Sequence, residues 1–517
     1  MFGKILSADV RGIEGYGVTV EVDISDGLPM FLMVGYLSSE VREAADRVRT
    51  ALRNCGVVLP AKRITVNLAP AGIRKAGSKF DLPIAVGVLV AMGYLDGRLL
   101  ARVLVAGELS LNGEIHGVPG ILPMVETARE LGCSHCIVPR ENKGEAAIIS
   151  GIQTLGVGHL RELLECFPLD RQTGMQEMTP VPADLESMEQ ALRQPRYTVD
   201  FSEIHGQENV KRAAQVAVAG MHNLLMVGPP GSGKTMIAKR IPTILPPLTL
   251  EESLEISRIY SIAGLLSSQK PLVCNRPFRA PHHTSSAPAL TGGGRIPMPG
   301  EVSLASNGVL FLDELPEFRR SVLEVLRQPL EEGKVCLCRS YGTYVYPAEF
   351  MLVAAMNPCR CGHYPDLNSC TCTAGDVARY LGRLSRPLLD RIDICVEAPG
   401  LSYEELTERT EGETSRQIRE RMVQVHEIQR ERYAGTEYRF NKDLNAAGIE
   451  RFCPLGQAQK RLLEEAFRKL KLSARGYHRM IKVARTIADM EESREIQCSH
   501  LMEAICYRAL DKKYWTR

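Results

Sequence analysis

Residues 223–235 read NLLMVGPPGSGKT, and the fold of the second half of the chain can be predicted from them. Asn223–Val227 is a short apolar run of the kind found in buried strands, and the residues that follow Thr235 have the spacing of an amphipathic helix. Between them, Gly228–Thr235 matches G-x-x-x-x-G-K-[ST], the phosphate-binding P-loop, in the order of strand, loop and helix that the motif requires. The stretch therefore predicts an α/β core that binds a nucleotide.

Each residue type in the P-loop has a separate physical task. Glycines let backbone N–H groups surround phosphate oxygens, and the N-terminus of the following helix adds a favourable dipole. Lys234 is predicted to reach the β- and γ-phosphates, and Thr235 to ligate Mg²⁺. ATP and Mg²⁺ are therefore the predicted cofactors. The predicted nucleotide-binding loop consists of Gly228, Pro229, Pro230, Gly231, Ser232, Gly233, Lys234, Thr235 and Met236.

Two later apolar runs end in residues suited to ATP hydrolysis. The first, Gly308–Leu312, ends in Asp313 and Glu314. Carboxylates at the tip of a buried strand can hold Mg²⁺ and polarise an attacking water, so we assign the metal to Asp313 and the water to Glu314. The second run, Phe350–Ala355, is followed by Asn357, which we predict to orient that water as a sensor. Each residue alone would be read as part of a turn, but beside a P-loop they predict hydrolysis.

The length of 517 residues exceeds what one hydrophobic core usually serves, so several domains are expected. Strand-like and helical stretches alternate in residues 1–166, and residues 167–198 are polar and contain proline, as linkers do. The P-loop lies in a second alternating region at 199–398, and 399–517 has almost only helical spacing. We therefore predict a front α/β domain, a linker, a nucleotide-binding core and a helical lid.

Composition limits the partners and the compartment. The balance of 63 Lys and Arg against 61 Asp and Glu excludes a uniformly basic nucleic-acid coat, so contact with nucleic acid must be local. The apolar run Leu82–Leu95 is too short to cross a bilayer and is predicted to be a buried core helix. The N-terminal residues lack a signal-peptide pattern, so we expect a cytoplasmic protein without membrane contact. The 15 cysteines fit reduced thiols and one metal site better than a disulfide framework.

Four cysteines form two C-x-C pairs, and they are Cys359, Cys361, Cys370 and Cys372. Four thiolates can hold zinc tetrahedrally, but the ligands of such a pair are usually separated by about two to four residues. The sequence therefore leaves two alternatives open, a zinc site or a loop of reduced cysteines. The adjacent His282 and His283 lack an obvious third ligand and are predicted to be structural.

Six longer stretches are more specific than the P-loop alone. They are FSEIHGQENVKRAA (201–214), FRAPHHTSSAPALTGGG (278–294), PGEVSLASNGVLFLDELPEF (299–318), AAMNPCRCG (354–362), SRPLLDRIDI (385–394) and LSARGYHRMIKVARTIADM (472–490). On these stretches the chain resembles the magnesium-chelatase-like AAA+ proteins of the YifB/ComM family over nearly its whole length. The resemblance implies an AAA+ P-loop core with a helical C-terminal lid, and a homo-oligomer, a hexameric ring.

The resemblance also implies roles for residues outside the motifs. Ile204, His205 and Gly206 would line the adenine pocket, although a turn that caps a helix is the alternative. Arg391 resembles the arginine finger that reaches the γ-phosphate of the neighbouring subunit, where a guanidinium stabilises charge in the transition state. Arg475 resembles the second sensor. For either arginine the alternative is a simple salt bridge.

Two loops are candidates for contact with a polymer in a central pore. The first is Gly292–Arg295, in a stretch that resembles a hairpin inserted in this AAA+ clade. A second hairpin is suggested where Gly333 and Lys334 separate two strand-like runs, with Arg339 after them. Localised cations in a ring bind phosphates without a basic surface overall, so Lys334, Arg295 and Arg339 are the candidates for contact with a polymer backbone. Solvated surface cations are the alternative.

Residues 64–148 resemble the proteolytic domain of Lon, on ITVNLAPAGIRKAGSKFDLPIAVGVL (64–89), GELSLNGEIHGVPGILPMVETARELG (107–132) and IVPRENKGE (137–145). This implies a Lon-protease-like (ribosomal-protein-like) α/β fold. Lon uses a serine in a G-P-S-A-G turn and a lysine. Here Ser78 is one place off and the lysine position falls near Leu122. We therefore predict a noncatalytic domain for assembly or partner binding.

The predicted function is an ATP-driven hexameric DNA motor, a helicase or branch-migration factor in DNA recombination or transformation. DNA as the substrate rests mostly on the resemblance. One alternative is a chelatase-type motor that drives metal insertion into a porphyrin, and another is a regulatory or assembly ATPase with a protein client. An ATP-dependent protease is a further class, against which the missing serine and lysine count.

Overall fold

The computed structural model describes residues 1–168, 180–182, 185–366, 368–400, 412–470 and 472–515. Residues 169–179 and 183–184 of the predicted linker and residues 401–411 of the predicted lid lie outside this description. Within the described part of the chain, no helix is long and apolar enough to span a bilayer.

The front domain is a seven-stranded mixed sheet flanked by helices. The strand order is β3-β4-β2-β1-β5-β8-β9, with β2 antiparallel to both β1 and β4 and the other neighbours parallel. Two short strands, β6 and β7, pair separately. The strands are β1 (Phe2–Arg11), β2 (Glu14–Ser25), β3 (Met30–Val34), β4 (Arg63–Ala69), β5 (Val103–Val105), β6 (Glu108–Leu109), β7 (Ile115–His116), β8 (His135–Pro139) and β9 (Gln153–Val157). The helices are α1 (Ser39–Asn54), α2 (Asp81–Ala91), α3 (Ile121–Glu130), α4 (Lys143–Ala147) and α5 (Leu160–Cys166).

Helices α2 and α3 cover opposite faces of this sheet. Val103 and Val105 of β5 pack in the apolar cluster that contains α2, whereas Leu104 packs in the cluster that contains α3. Successive side chains of a strand point to opposite faces, so the two clusters lie on opposite sides. All residues of α2 except Val90 are buried, which explains why its sequence is apolar on every side. The predicted core helix is therefore present.

The predicted linker contains a helix, α6 (Leu185–Arg193). Its Leu192 is 4% exposed and packs in the same apolar cluster as α3. The sequence did not predict this helix, because residues 167–198 are mostly polar. A helix of about two turns needs only a few apolar residues to form one buried face.

The nucleotide-binding core is built on a five-stranded parallel sheet with the order β11-β14-β17-β10-β18. Its strands and hairpins are β10 (Leu224–Val227), β11 (Phe278–Arg279), β12 (Gly292–Gly293), β13 (Met298–Pro299), β14 (Val309–Leu312), β15 (Lys334–Arg339), β16 (Gly342–Pro347), β17 (Met351–Met356) and β18 (Ile394–Glu397). Its helices are α7 (Glu208–Gly220), α8 (Lys234–Ile244), α9 (Leu250–Ile262), α10 (Ala287–Thr291), α11 (Glu301–Leu304), α12 (Arg320–Glu324), α13 (Arg327–Glu332), α14 (Ala374–Leu381) and α15 (Arg386–Leu389). This order brings the C-terminal ends of β14, β17 and β10 side by side.

The front domain packs on the core through α3 and α9. Ile256 of α9 belongs to the apolar cluster of α3. Arg258 of α9 also donates two hydrogen bonds to the carboxylate of Glu126 on α3, at 2.7 and 2.8 Å. Both an apolar contact and an ion pair therefore join the two domains.

The C-terminal region is helical and packs on α7 and α8 of the core. Its helices are α16 (Ser415–Arg432), α17 (Ala446–Phe452), α18 (Gln457–Leu470), α19 (Ala474–Met490) and α20 (Cys498–Tyr514). Asp489, at the end of α19, is fully buried and accepts hydrogen bonds from Arg432 of α16, from Arg485 and from Asn441. This carboxylate joins the helices of the lid.

Replacement of Asp489 by alanine is expected to lower the free energy of unfolding by about 3–5 kcal/mol, because it leaves Arg485 buried without its anion. Chemical denaturation of the two proteins measures this difference. The matched control is Glu464→Ala, which breaks an exposed pair with Arg468 and should change the free energy by less than about 1 kcal/mol. Equal effects of the two substitutions would contradict the assigned role of Asp489.

Candidate active site

The P-loop joins the C-terminal end of β10 to the first residue of α8, Lys234. Gly231 and Gly233 have positive φ angles of 78° and 82°, which glycine adopts without strain. A Cβ atom on Gly228 would lie 2.0 Å from the carbonyl oxygen of Ala398, so the close approach of the loop to the end of β18 requires glycine. Such a loop before a helix N-terminus is suited to bind phosphate oxygens.

Lys234 ties the P-loop to the end of β17. Its buried ammonium donates hydrogen bonds to the carbonyl oxygens of Gly228 at 2.8 Å and Pro229 at 2.7 Å. It also lies 3.2 Å from Ser232 Oγ and 3.3 Å from Asn357 Oδ1. Since β17 lies between β14 and β10, Asn357 is placed between the P-loop and the acidic residues that follow β14.

Asp313 places a carboxylate directly against the P-loop. Thr235 Oγ1 donates a hydrogen bond to Asp313 Oδ2 at 2.7 Å. Burial lowers the pKa of Lys234, and the charge of Asp313 opposes this shift. A hydroxyl and a carboxylate in contact are oxygen ligands of the type that Mg²⁺ prefers. The residues present therefore fit Mg²⁺, and Thr235 and Asp313 are the residues that would hold it, Asp313 through a water molecule.

Glu314 is exposed to the same site and contacts a histidine. Its backbone has φ 50° and ψ 46°, a left-handed conformation that is uncommon for residues other than glycine and is often found at functional sites. Its carboxylate lies 3.3 Å from His283 Nδ1, and the rings of His283 and His282 are 4.1 Å apart. We predicted only a structural role for the two histidines, but the structure places His283 beside the carboxylate assigned to the attacking water.

The residues predicted to line the adenine pocket precede α7. Ile204 is 1% exposed and packs in the apolar core, and Gly206 has a φ angle of 59°. Among the residues that the structure describes, none hydrogen-bonds the buried Nδ1 of His205. An unsatisfied ring nitrogen of this kind can pair with a base, so its chemistry fits a nucleotide.

Gln207 is a residue of this region that the sequence did not single out. Its side-chain Nε2 donates to the carbonyl oxygen of Ser232 in the P-loop at 3.3 Å and to that of Pro399 at 2.6 Å. It thereby holds the P-loop against the chain segment after β18. Only the tertiary contact reveals this, because a glutamine before a helix carries no motif.

Arg391 lies at the opposite end of the sheet from the P-loop. Its carbonyl oxygen accepts a hydrogen bond from Asn223, the residue before β10. The P-loop begins after β10, and a strand rises by about 3.3 Å per residue, so about 13 Å of strand separates the two ends. The Arg391 side chain therefore lies away from its own chain's P-loop.

Arg391 and Arg475 share one carboxylate, that of Glu331. Arg391 is 6% exposed and Arg475 is 61% exposed. Arg391 Nη2 pairs with Glu331, and Arg475 Nη2 lies 3.3 Å from the same oxygen. The hydrogen bond from Arg391 is the largest of the effects that lower the pKa of Glu331. The three residues line an open cleft of about 560 Å³ between core and lid.

The prediction for Gly333 and Lys334 is corrected by the structure. The run before Gly333 is helical, and Gly333 ends α13 with a φ angle of 64° and an N–H bond to the carbonyl of Pro329. The hairpin of β15 and β16 turns instead between Arg339 and Gly342. Lys334 is consequently at the base of this hairpin. The glycine was read as a turn between strands, whereas it is the left-handed residue that ends a helix.

The tips of the two hairpins lie together. Tyr341 donates a hydrogen bond to the carbonyl oxygen of Arg295, and Arg339 Nε lies 3.3 Å from the carbonyl oxygen of Gly294. The guanidinium of Arg74, from the front domain, lies 5.0 Å from the centre of the Tyr341 ring. We call Arg74, Arg295, Arg339 and Tyr341 the hairpin patch.

The four paired cysteines lie together in the loop after Asn357. All four sulfurs are within 4.8 Å of one another. The predicted ligands are therefore brought to one point, despite the short spacing within each pair.

In the front domain, Ser78 and Leu122 stand at the positions compared with the catalytic serine and lysine of Lon, and they do not form such a pair. Ser78 donates a hydrogen bond to Glu108, and Leu122 is fully buried on α3. The next residue, Lys79, pairs with Asp9 at 2.5 Å. These are structural contacts, and a noncatalytic role for the domain stays a prediction.

Comparison with known proteins places the chain in a family. The family model "Magnesium chelatase, subunit ChlI" matches residues 200–406, and models of other parts of the same subunit match residues 20–142 and 412–508. Competence protein ComM of Haemophilus influenzae is 44% identical over 511 residues, which cover 98% of this chain and 97% of that protein.

Two further relatives support the same assignment. The protein YifB of Escherichia coli is 44% identical over 503 residues, 97% of this chain and 96% of that protein. A local likeness to Lon protease 2 of Bacillus subtilis, 29% over 129 residues, covers 25% of this chain and 23% of that protein. Together with the site described above, these matches show that the chain belongs to the YifB/ComM family of magnesium-chelatase-like AAA+ ATPases and carries a Lon-like N-terminal domain.

Proposed function

We propose that this chain is an ATP-driven motor that assembles into a ring, a hexamer, and acts on DNA as a helicase or branch-migration factor in recombination or transformation. The observation that carries the proposal is the position of Arg391. Its side chain lies at the end of the sheet opposite to its own P-loop, beside an open cleft. An arginine in this place can complete a nucleotide site only on a neighbouring chain, which requires an oligomer.

Each residue around the P-loop has a separate role in ATP hydrolysis. The Lys234 ammonium and the backbone N–H groups of the loop bind the phosphates of ATP. Thr235 and Asp313 would hold Mg²⁺, which supplies positive charge to the phosphate oxygens. Glu314 polarises the attacking water, and Asn357 orients it. The water oxygen attacks the γ-phosphorus as Glu314 takes a proton from the water, and the bond to the bridging oxygen breaks, so that ADP and phosphate leave.

The hairpin patch supports DNA as the client. Its arginines offer localised positive charge to a phosphate backbone, and Tyr341 offers an aromatic face for a base. Both hairpins belong to the core, whereas Arg74 comes from the front domain. A DNA strand bound to the hairpin patch would therefore contact both domains. Movement of the core on ATP hydrolysis would then move the bound DNA.

The steady-state ATPase rate with and without single-stranded and branched DNA tests this proposal. We expect DNA to stimulate the rate, and Arg295→Ala with Arg339→Ala to raise the DNA concentration needed for half-maximal stimulation by at least about tenfold. Loss of two phosphate contacts should also lower the salt dependence of binding by about two units of slope. Lys234→Ala is the inactive reference.

The matched control for this test is Arg416→Ala, which removes an exposed cation of the lid. It should leave DNA stimulation unchanged. If DNA alters neither the rate nor the assembly while basal hydrolysis persists, the DNA part of the proposal is wrong, and an ATPase that remodels a protein or a chelatase-type client takes its place.

Two further assignments belong to this proposal. Zinc is proposed as an additional cofactor, bound by the four paired cysteines beside the nucleotide site. The cytoplasm is the proposed compartment, because thiols stay reduced there and can ligate a metal.

A further inference from the structure

The four paired cysteines have the geometry of a site for one ion. Cys359 Sγ lies 3.3 Å from Cys361 Sγ and 3.8 Å from Cys370 Sγ, and the Cys361 and Cys370 sulfurs are 3.5 Å apart. Four thiolates around zinc, each at about 2.3 Å, place neighbouring sulfurs about 3.8 Å apart. The observed separations are close to this value. These separations are longer than the about 2.05 Å of a disulfide bond, so the four cysteines are free thiols in the structure.

The surroundings of the sulfurs also suit a metal. Cys359 is fully buried, and the other three are partly buried against the apolar cluster of the core. The backbone N–H of Tyr364 lies 3.4 Å from Cys359 Sγ. An N–H group that points at a thiolate stabilises its charge and fixes its orientation, as the hydrogen-bonded neighbours of metal ligands do.

The loop that carries these cysteines lies directly on the nucleotide site. Cys359 is two residues after Asn357, whose side chain contacts Lys234. Gly362 has a φ angle of 86°, and a Cβ atom there would lie 2.3 Å from Pro230 Cδ in the P-loop. The cysteine loop and the P-loop are therefore in close contact.

The other side of the cysteine loop is held by two helices. Cys372 is followed by Thr373, whose side chain caps α14. The ring of Tyr364 lies 6.2 Å from that of Tyr514 at the end of α20, and Tyr514 donates a hydrogen bond to Glu397 at the end of β18. The cysteine loop thus lies where β17, α14 and α20 meet.

We infer that Cys359, Cys361, Cys370 and Cys372 bind one zinc ion, and that this ion fastens the loop after Asn357 onto the P-loop so that nucleotide affinity depends on it. The inference rests on the proposed nucleotide site. The zinc is a structural ion with four protein ligands and takes no part in hydrolysis. Its loss frees the loop, and with it the positions of Asn357 and Pro230.

Metal content and nucleotide binding, measured on the same full-length protein, test the inference. We expect about one zinc per chain by mass spectrometry of the protein purified without chelator, as a four-cysteine site holds one ion. Cys361→Ser with Cys370→Ser should lose the zinc and bind a fluorescent ATP analogue at least about tenfold more weakly, because the freed loop would hold its binding position in only a small fraction of molecules. The control Cys506→Ser changes an exposed cysteine of α20 and should keep both properties.

Zinc binding, nucleotide binding and folding can be distinguished with further variants. Lys234→Ala should keep its zinc but lose hydrolysis, which tells a failure of the nucleotide site from a failure of the zinc site. If the double serine variant does not fold, Cys370→His, which retains a metal ligand, should keep zinc and nucleotide binding. Protein without zinc would overturn the metal assignment, and unchanged nucleotide affinity after removal of zinc by a chelator would overturn the fastening role.

Discussion

Replacement of Glu314 by glutamine is expected to lower the steady-state rate of ATP hydrolysis by about 100-fold or more, the usual contribution of a group that takes a proton from the reacting water. The amide keeps the volume of the side chain but cannot accept that proton. Nucleotide affinity should stay within about threefold, because binding depends on the P-loop and Lys234 rather than on the exposed Glu314 carboxylate. A coupled ATPase assay and titration with a fluorescent ATP analogue measure the two quantities.

The matched control is Glu317→Gln in the same turn. Glu317 is 41% exposed and accepts a hydrogen bond from Arg383 at 2.8 Å. It should hydrolyse ATP at nearly the rate of the unchanged protein. If Glu314→Gln retained more than about a third of the rate, the water would be activated by another group, and His283 would be the next residue to replace.

Replacement of Arg391 by alanine is expected to lower the rate of hydrolysis by about 1000-fold, the lower end of the range for arginines that act on the γ-phosphate. The effect should be exerted on the neighbouring chain. A mixture of Arg391→Ala and Lys234→Ala chains, each inactive alone, should therefore recover activity. In a randomly mixed ring, about one quarter of the interfaces combine an intact P-loop with an intact arginine.

The control for the mixing experiment is Arg386→Ala, an exposed arginine of α15. It should be active alone and gain nothing on mixing. Full activity of Arg391→Ala, or full activity of the unchanged protein at dilutions where it is monomeric, would contradict action in trans. In the first case Arg391 would be only the partner of Glu331.

The secondary structure around the P-loop could be predicted from the spacing of neighbouring residues. The order of strand, loop and helix around Gly228–Thr235 is encoded by neighbouring residues, and β10 and α8 form where the sequence predicts them. The acidic pair after β14 and Asn357 after β17 follow apolar runs in the same way. The buried helix α2 is equally local, because a run that is apolar on every side can only lie inside.

Prediction from neighbouring residues failed at Gly333 and at α6. Gly333 ends a helix, but a glycine between apolar runs equally fits a turn between strands. The helix α6 was missed because its few apolar residues become significant only against the surface that they cover. The contact that decides α6 is made by residues distant in sequence, whereas Gly333 bonds Pro329, four residues before it, and was misread because both structures accept glycine there.

The residues of the chain therefore determine its family, the P-loop and the strand-end carboxylates, because each depends on backbone geometry within a few residues. The tertiary structure alone decides which distant side chains meet. It places His283 beside Glu314, Gln207 against Ser232, and Arg391 with Arg475 on Glu331. It also brings the two cysteine pairs to one point. These contacts follow from the order of the strands and the packing of the loops between them, which no short stretch of sequence contains.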